Sequence, residues 1–314
     1  MRIGERVLEE RCGAGGCGCP VVRTIALTPH PPPYPLPCPH PRHSPSPSSS
    51  PSSLIRNPIA MDWRLVVNGQ SDGATNMAVD HALFEAVQDG APPVLRFYGW
   101  EPACLSLGRN QPARVSTEDL KRRGLDLVRR PTGGLAVLHD RELTYSVCAR
   151  VNQLGSPREA YAAINRALRR GLIQFGIPAE SAHLDTTAAT FRRAGSCFAG
   201  TAPGELGVRG RKLIGSAQRY ERKTILQHGS ILIDGNQTLA DELLGKLADP
   251  EPATTIAEVL GTVPDWGVLQ ASLVAAFETE IGIALAPAPL DARERTRAHE
   301  LTAHYLDAEW TWRV

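Results

Sequence analysis

Two side chains in the second half of the sequence have the types and spacing for acyl-transfer chemistry. Cys197 lies in GSCFAGTAPG, a run of small and turn-forming residues, and Lys212 follows fifteen residues later in RKLIGSAQ. A thiolate attacks a thioester carbonyl, and an ammonium beside it can polarise that carbonyl and stabilise both the sulfur anion and the tetrahedral oxyanion. The Arg192-Arg193 pair just upstream would keep the local potential positive and favour the thiolate. Cys104 and Cys148 lie inside strand-like runs and read as small buried apolar residues. A loop cysteine alone is more often a bystander, and a strand lysine alone is more often a solvated edge residue. The pairing is what favours chemistry: ELGV, a turn at Arg209-Gly210, then RKLIGSAQ form a hairpin that returns the lysine toward the cysteine. Strand alternation puts Lys212 and Ile214 on one face, Leu213 and Gly215 on the other. Gly215, Ser216 and Ala217 leave space beyond the lysine that something must fill.

A second group precedes it in VRRPTGGLAVLHDRELTYS. Gly133 and Gly134, between a strand ending in Arg129-Arg130 and the apolar LAVL, let backbone approach a ligand and permit positive φ. With Thr132 at the loop's start and His139 just past the next strand, backbone N–H groups could hold a carbonyl or phosphate. A plain turn is the alternative for the glycine pair, and a hydrogen-bonded strand cap is the alternative for His139, whose imidazole could otherwise relay protons. His228 in QHGSILI reads as a structural strand residue. Asp80 shares a helical stripe with Met77 and Phe84, so a carboxylate faces the core and needs a partner; Arg129 and Arg130 are the partners considered.

The elements that must position these groups alternate in kind. MDWRLVVNG opens the folded part, and SDGATNMAVDHALFEAV is an amphipathic helix that Ser71 or Asp72 can cap. Short β-like runs follow: VLRFYGW, ACLSLG, LDLVRR, LAVLH, ELTYSVCA, then ELGV, RKLIGSAQ and LQHGSILI. A helix is inserted at REAYAAINRALRRGLIQFG, and others follow Thr238, where Leu269, Leu273, Phe277 and Ile281 recur every fourth residue. Strands grouped on either side of one helix, with helices gathered at the end, predict an α+β fold with a mixed central sheet flanked by helices.

Residues 1–60 hold 13 of the 26 prolines and 4 of the 7 cysteines of the 314-residue chain and read as a disordered Pro/Ser-rich extension. Met61 opens folded character, so the extension is expected to be an upstream addition or a misassigned start; a weak organelle-transit reading is the other possibility. Residues 61–314 then form the catalytic domain, with 238–314 its helical part. Six arginines against three glutamates in the extension leave the rest at −2 of the total +1, which argues against a dedicated nucleic-acid binder. The chain has no apolar run long enough for a bilayer and an odd, irregular cysteine set, predicting a cytoplasmic protein without a disulfide framework. Cys12, Cys17, Cys19 and Cys38 with His30, His40 and His43 lack metal-site spacing, and no metal is expected.

The segments at 128–146, 195–218 and 226–233 resemble the signature regions of the lipoate-protein ligase and octanoyltransferase family, with LRFYGWEP and SLGRNQP also similar. The cysteine about fifteen residues before the lysine is similar to that of the cysteine-dependent octanoyl-transferring branch. The resemblance implies a lipoate/biotin-protein ligase catalytic-domain-like fold and transfer of an octanoyl group in lipoate biosynthesis. The donor would be octanoyl-acyl carrier protein, and the acceptor a lipoyl domain such as the glycine-cleavage H protein. No nucleotide or other cofactor is needed. Cys197, Lys212 and His139 would be catalytic, and Arg130, Thr132, Gly133, Gly134, Gly215, Ser216 and Ala217 would bind substrate, with Leu107, Leu135 and Val137 lining an acyl tunnel. Leu135 departs from the pattern: the cysteine branch usually has Arg after Gly-Gly, and the ligases a third Gly. The rival readings are an ATP-dependent lipoate-protein ligase, a catalytically silent lipoyl-domain binder, and a sulfur-inserting or biotin-attaching relative.

Overall fold

The computed structural model describes residues 61–181, 196–199, 204–245 and 253–313. The expected extension at 1–60, the Arg192-Arg193 pair, and Gly195, Gly200 and Pro203 beside Cys197 lie outside the described residues.

Alternating apolar residues build the main sheet. Its strands are β1 (Met61–Ser71), β2 (Val94–Trp100), β6 (Glu142–Arg150), β7 (Glu180–Ser181), β8 (Leu206–Val208), β9 (Arg211–Glu221), β10 (Thr224–Leu232) and β11 (Ile283–Pro287), in the order β11-β1-β2-β6-β10-β9-β8-β7. The pairings of β1 with β11 and β2 are parallel and the rest antiparallel, a mixed sheet as expected. The runs at 104–139 separate from it: β3 (Cys104–Leu107), β4 (Asp126–Arg129) and β5 (Val137–His139) form a second sheet in the order β4-β3-β5. β3 and β4 run parallel and so need a crossover, which α2 (Thr117–Arg122) supplies.

Helices cover both faces of the large sheet. Odd-numbered residues of β2 and β6, among them Leu95, Phe97, Leu143, Tyr145 and Val147, are buried in one cluster with Ile164, Leu168 and Leu172 of α4 (Pro157–Gln174). Leu269, Leu273 and Phe277 of α7 (Trp266–Ile281) complete that cluster, while Ile281 packs against it only half-buried. Even-numbered residues such as Val94, Tyr98, Trp100 and Cys148 face α1 (Gly73–Gln88), which in turn packs on α8 (Ala292–Leu306). Asp72 caps α1 by accepting from the Thr75 N–H.

The buried Asp80 of α1 finds neither Arg129 nor Arg130. The register aligns Arg96, Ser146 and His228 across β2, β6 and β10 on the face that α1 covers. Arg96 donates to Asp80 Oδ1 at 2.7 Å and Ser146 Oγ to the same oxygen at 2.8 Å; Tyr98 Oη and His228 Nδ1 reach Oδ2 at 2.9 and 3.0 Å. Burial alone would raise this carboxyl, but Arg96 and His228 hold it down, to about 2. Arg129 instead spends its donors on main-chain carbonyls, tying Gly108 and Gln111 to Thr311 and Arg313 near the chain's end. The reason is register: Arg129 belongs to the small sheet, whereas alternation along β2 puts Arg96 directly under α1. Among the described residues, no helix is long and apolar enough to cross a membrane.

Candidate active site

Cys197 opens a 3₁₀ turn, Cys197–Ala199, and is buried. Its N–H donates to the Ala136 carbonyl at 2.7 Å, and the preceding Ser196 is held by both carboxylate oxygens of Asp241 in α5 (Thr238–Leu243). The turn is therefore anchored on two sides rather than being the open loop that its composition suggests. Above it the β8–β9 hairpin turns at Arg209 and Gly210, both with positive φ, as a two-residue turn matching strand twist requires. Lys212 Nζ lies 3.4 Å from Cys197 Sγ, 2.6 Å from the Cys197 carbonyl oxygen and 2.7 Å from Glu205 Oε2. The ammonium also stands 5.2 Å over the Phe198 ring. Burial would push this ammonium down, but the charges of Cys197 and Glu205 raise it above an ordinary lysine.

The expected strict alternation along 211–218 does not hold. The β8–β9 register shifts between Leu206 and Gly207, so Lys212 pairs with Gly207 and Ile214 with Leu206. This bulge lets the lysine and Gly215 meet the same cysteine: a Cβ on Gly215 would stand 3.2 Å from Cys197 Sγ and 3.1 Å from Phe198. The cysteine turn thus packs against Gly215.

The Gly-Gly loop is held from below. Arg130 donates to the Gly133 and Leu135 carbonyls at 2.9 and 2.8 Å and to Ser106 Oγ at 2.8 Å. Burial lowers its guanidinium to about 10, with the Cys197 charge acting the other way. Its Nε is buried without a hydrogen-bond partner among the described residues. Gly134 has the positive φ expected of the pair, at 88°, while Gly133 does not. Thr132 is fully buried, its hydroxyl 2.7 Å from His228 Nε2, so the Asp80–His228 pair fixes the loop's first residue. The loop also rests on a glycine the sequence reading left unremarked. A Cβ on Gly108 would fall 1.9 Å from the Gly134 carbonyl oxygen, backbone against backbone. We expect Gly108→Ala to force the loop away and lower unfolding stability by about 2–4 kcal/mol, read by urea denaturation; a wild-type midpoint would contradict this close approach.

His139 has both ring nitrogens engaged inside the protein. Nδ1 lies 2.7 Å from Glu142 Oε1 and Nε2 2.7 Å from Ser106 Oγ, and Trp100 stacks on the ring at 3.9 Å between centroids. Thr144 and Ser230 hydroxyls donate to Glu142, and Trp100 Nε1 donates to Thr144. These bonds fit the strand-cap alternative for His139, and a proton relay through the ring would run by way of Ser106 Oγ.

Most of these groups border one partly open cavity of about 120 Å³. Cys197, Glu205 and Tyr161 contribute to its wall, as do Arg130, Gly134, Gly215, Ser216, Ala217 and His139. Thr132 and Gly133 do not. Of the three expected tunnel residues only Val137 lines it; Leu107 is buried in the cluster around the small sheet, and Leu135 packs half-buried against the main core. Met77 of α1, with Tyr98 and Trp100 from the face of β2 beneath it, supplies further apolar wall. Glu205 was read only as the start of a strand; the signal for it was a buried lysine that needed a counter-charge. Cys104 and Cys148 are buried away from this cavity, and burial pushes both thiols well above the ordinary range.

Comparison with known proteins places this geometry in context. A sequence model described as the lipoyl protein ligase A/B catalytic domain matches residues 72–278. The octanoyltransferase LipM of Kyrpidia tusciae is 40% identical over 270 residues, covering 80% of this chain and 98% of the relative. The octanoyltransferase LipM of Bacillus subtilis is 34% identical over 275 residues, with coverage of 80% and 98%. Among solved structures, a bipartite lipoate protein ligase with its E2 lipoyl domain from Thermoplasma acidophilum shares the fold, with TM-score 0.65, 21% identity and coverage of 80% of this chain and 96% of the other.

Proposed function

The chain belongs to the lipoyl protein ligase A/B catalytic-domain family, and from that premise we propose that it moves an octanoyl group from acyl carrier protein, through a thioester on Cys197, to a lysine of a lipoyl domain, with the glycine-cleavage H protein as the acceptor. The enzyme is an acyltransferase of lipoate biosynthesis. It takes an acyl donor and a lipoyl-domain acceptor.

The contact of Lys212 Nζ with Cys197 Sγ at 3.4 Å, with Cys197 itself lining a cavity, is the observation that carries the reading. The Cys197 thiolate attacks the donor carbonyl, the bond from that carbon to the carrier sulfur breaks, and the carrier leaves as a thiolate that takes a proton from solvent. The first exchange replaces one thioester by another and is nearly balanced. An acceptor amine then attacks the enzyme thioester, the carbon–Sγ bond breaks to give back the Cys197 thiolate beside Lys212, and the nitrogen proton released on amide formation passes to solvent. This second step is downhill because the amide is resonance-stabilised. Lys212 gives the charge on sulfur a counter-ion in the first step and faces the oxyanion in both. Arg130, Gly134 and the 215–217 segment bind the acyl thioester in this reading. His139 acts from behind, holding Ser106 and through it Arg130.

No nucleotide enters these steps. Purified protein given octanoyl-acyl carrier protein and H protein should octanoylate the acceptor without ATP, and prior treatment with iodoacetamide should abolish the reaction. Transfer that requires ATP and survives the thiol reagent would replace this reading with that of a ligase.

A further inference from the structure

The proposed reaction uses Cys197 and Lys212 but leaves unexplained a third charge in the same wall. Glu205 immediately precedes β8, is 4% exposed, and is seated by Asn165 of α4, which donates to the neighbouring Gly204 carbonyl at 2.9 Å. Its Oε2 lies 2.7 Å from Lys212 Nζ, closer than the sulfur at 3.4 Å. The ammonium thus carries contacts to the sulfur, a carbonyl and a carboxylate, of which two can hold full negative charge.

Those two charges have different fates in the reaction. Acylation converts the sulfur into a neutral thioester, so its pairing with the lysine disappears halfway through the cycle. A buried ammonium that loses its only counter-charge tends to give up its proton, since the apolar surroundings penalise the ion. Neutral Lys212 would be a poor donor to the oxyanion formed when the acceptor amine attacks. Resting on the Cys197 thioester reading, we propose that Glu205 is a positioning residue that keeps Lys212 charged and aimed at the reacting carbonyl after the sulfur's charge is spent, so that amide formation depends on it more than acylation does.

Among the described residues, Tyr161 on α4, Tyr145 on β6 and Arg130 at the Gly-Gly loop also titrate around the pair. Burial pushes both phenols up, so they stay neutral, and Arg130 is a cation. Glu205, at 2.7 Å from Nζ, holds a charge that acylation leaves in place.

Glu205→Gln keeps the shape and an accepting oxygen but removes the charge. The two half-reactions are separated by intact mass: loading with octanoyl-acyl carrier protein, then consumption of the loaded enzyme by a lipoyl domain across pH. We expect loading within about threefold of wild type, consumption about 30-fold slower or worse, and an alkaline decline displaced to lower pH. Equal slowing of both halves, or an unchanged second half, overturns the proposal. The wild-type enzyme supplies a measurement independent of the variant's folding: its amide-forming step should show no alkaline decline below about pH 10, and a decline in the neutral range overturns it. Failure of the underlying reading is distinguishable, because the wild type would then form no acyl thioester on Cys197.

Discussion

Cys197→Ala should abolish detectable octanoyl transfer, a fall of at least about 10³-fold in turnover with the lipoyl-domain acceptor, because among the described residues no other thiol lines the cavity. Cys104 and Cys148 are buried away from the cavity, and burial pushes their thiols up, so Cys104→Ala and Cys148→Ala should leave the rate near wild type. The loss cannot be ascribed to unfolding. Cys197 is anchored by its own backbone N–H to Ala136 and by Ser196 to Asp241, contacts that an alanine keeps. Removing one sulfur beside Gly215 leaves a small void, costing about 1 kcal/mol or a little more. A thermal unfolding midpoint near wild type together with lost transfer is the expected pair of results; transfer retained in the alanine variant would remove the thioester from the mechanism.

Lys212→Ala is expected to slow turnover about 10²–10³-fold, equivalent to roughly 3–4 kcal/mol of transition-state stabilisation. The variant loses the counter-ion to sulfur and the oxyanion donor together, and leaves the Glu205 carboxylate buried beside them. That last effect destabilises the fold as well, so Lys212→Met with Glu205→Gln is the companion variant, apolar and without the stranded charge. It should recover stability without recovering rate. Steady-state kinetics with urea titrations separate the two, and a double variant as active as wild type would exclude the ammonium from the chemistry.

Much of this arrangement was legible before any coordinates. The turn at Arg209-Gly210 that returns Lys212 to Cys197 is set by local chemistry, and local rules are what a sequence expresses most directly. Asp80 announced itself as a buried acid, yet its partner was misjudged. Arg129 and Arg130 drew attention as a conspicuous pair, while Arg96 was hidden inside VLRFYGW, where only its even position shared with Tyr98 and Trp100 marks it as facing α1. The bulge that breaks alternation after Lys212 depends on how β8 pairs with β9, a tertiary matter with no residue-level mark. Of Leu107, Leu135 and Val137, the residues expected to line the acyl tunnel, Val137 alone reaches the cavity. The separation of β3, β4 and β5 into their own sheet instead brings Trp100 and Met77 to the wall. Gly108 matters through Gly134, far along the chain, and Glu205 through Lys212 across a bulged hairpin.

The reading rests on a covalent acyl group carried by one sulfur. Protein incubated with octanoyl-acyl carrier protein in the absence of ATP and acceptor should gain the mass of one octanoyl group, released by hydroxylamine, mapped by peptide sequencing to Cys197, and chased into amide on adding a lipoyl domain. No added mass, an acyl group on another residue, or a loaded species that the lipoyl domain does not discharge would contradict it.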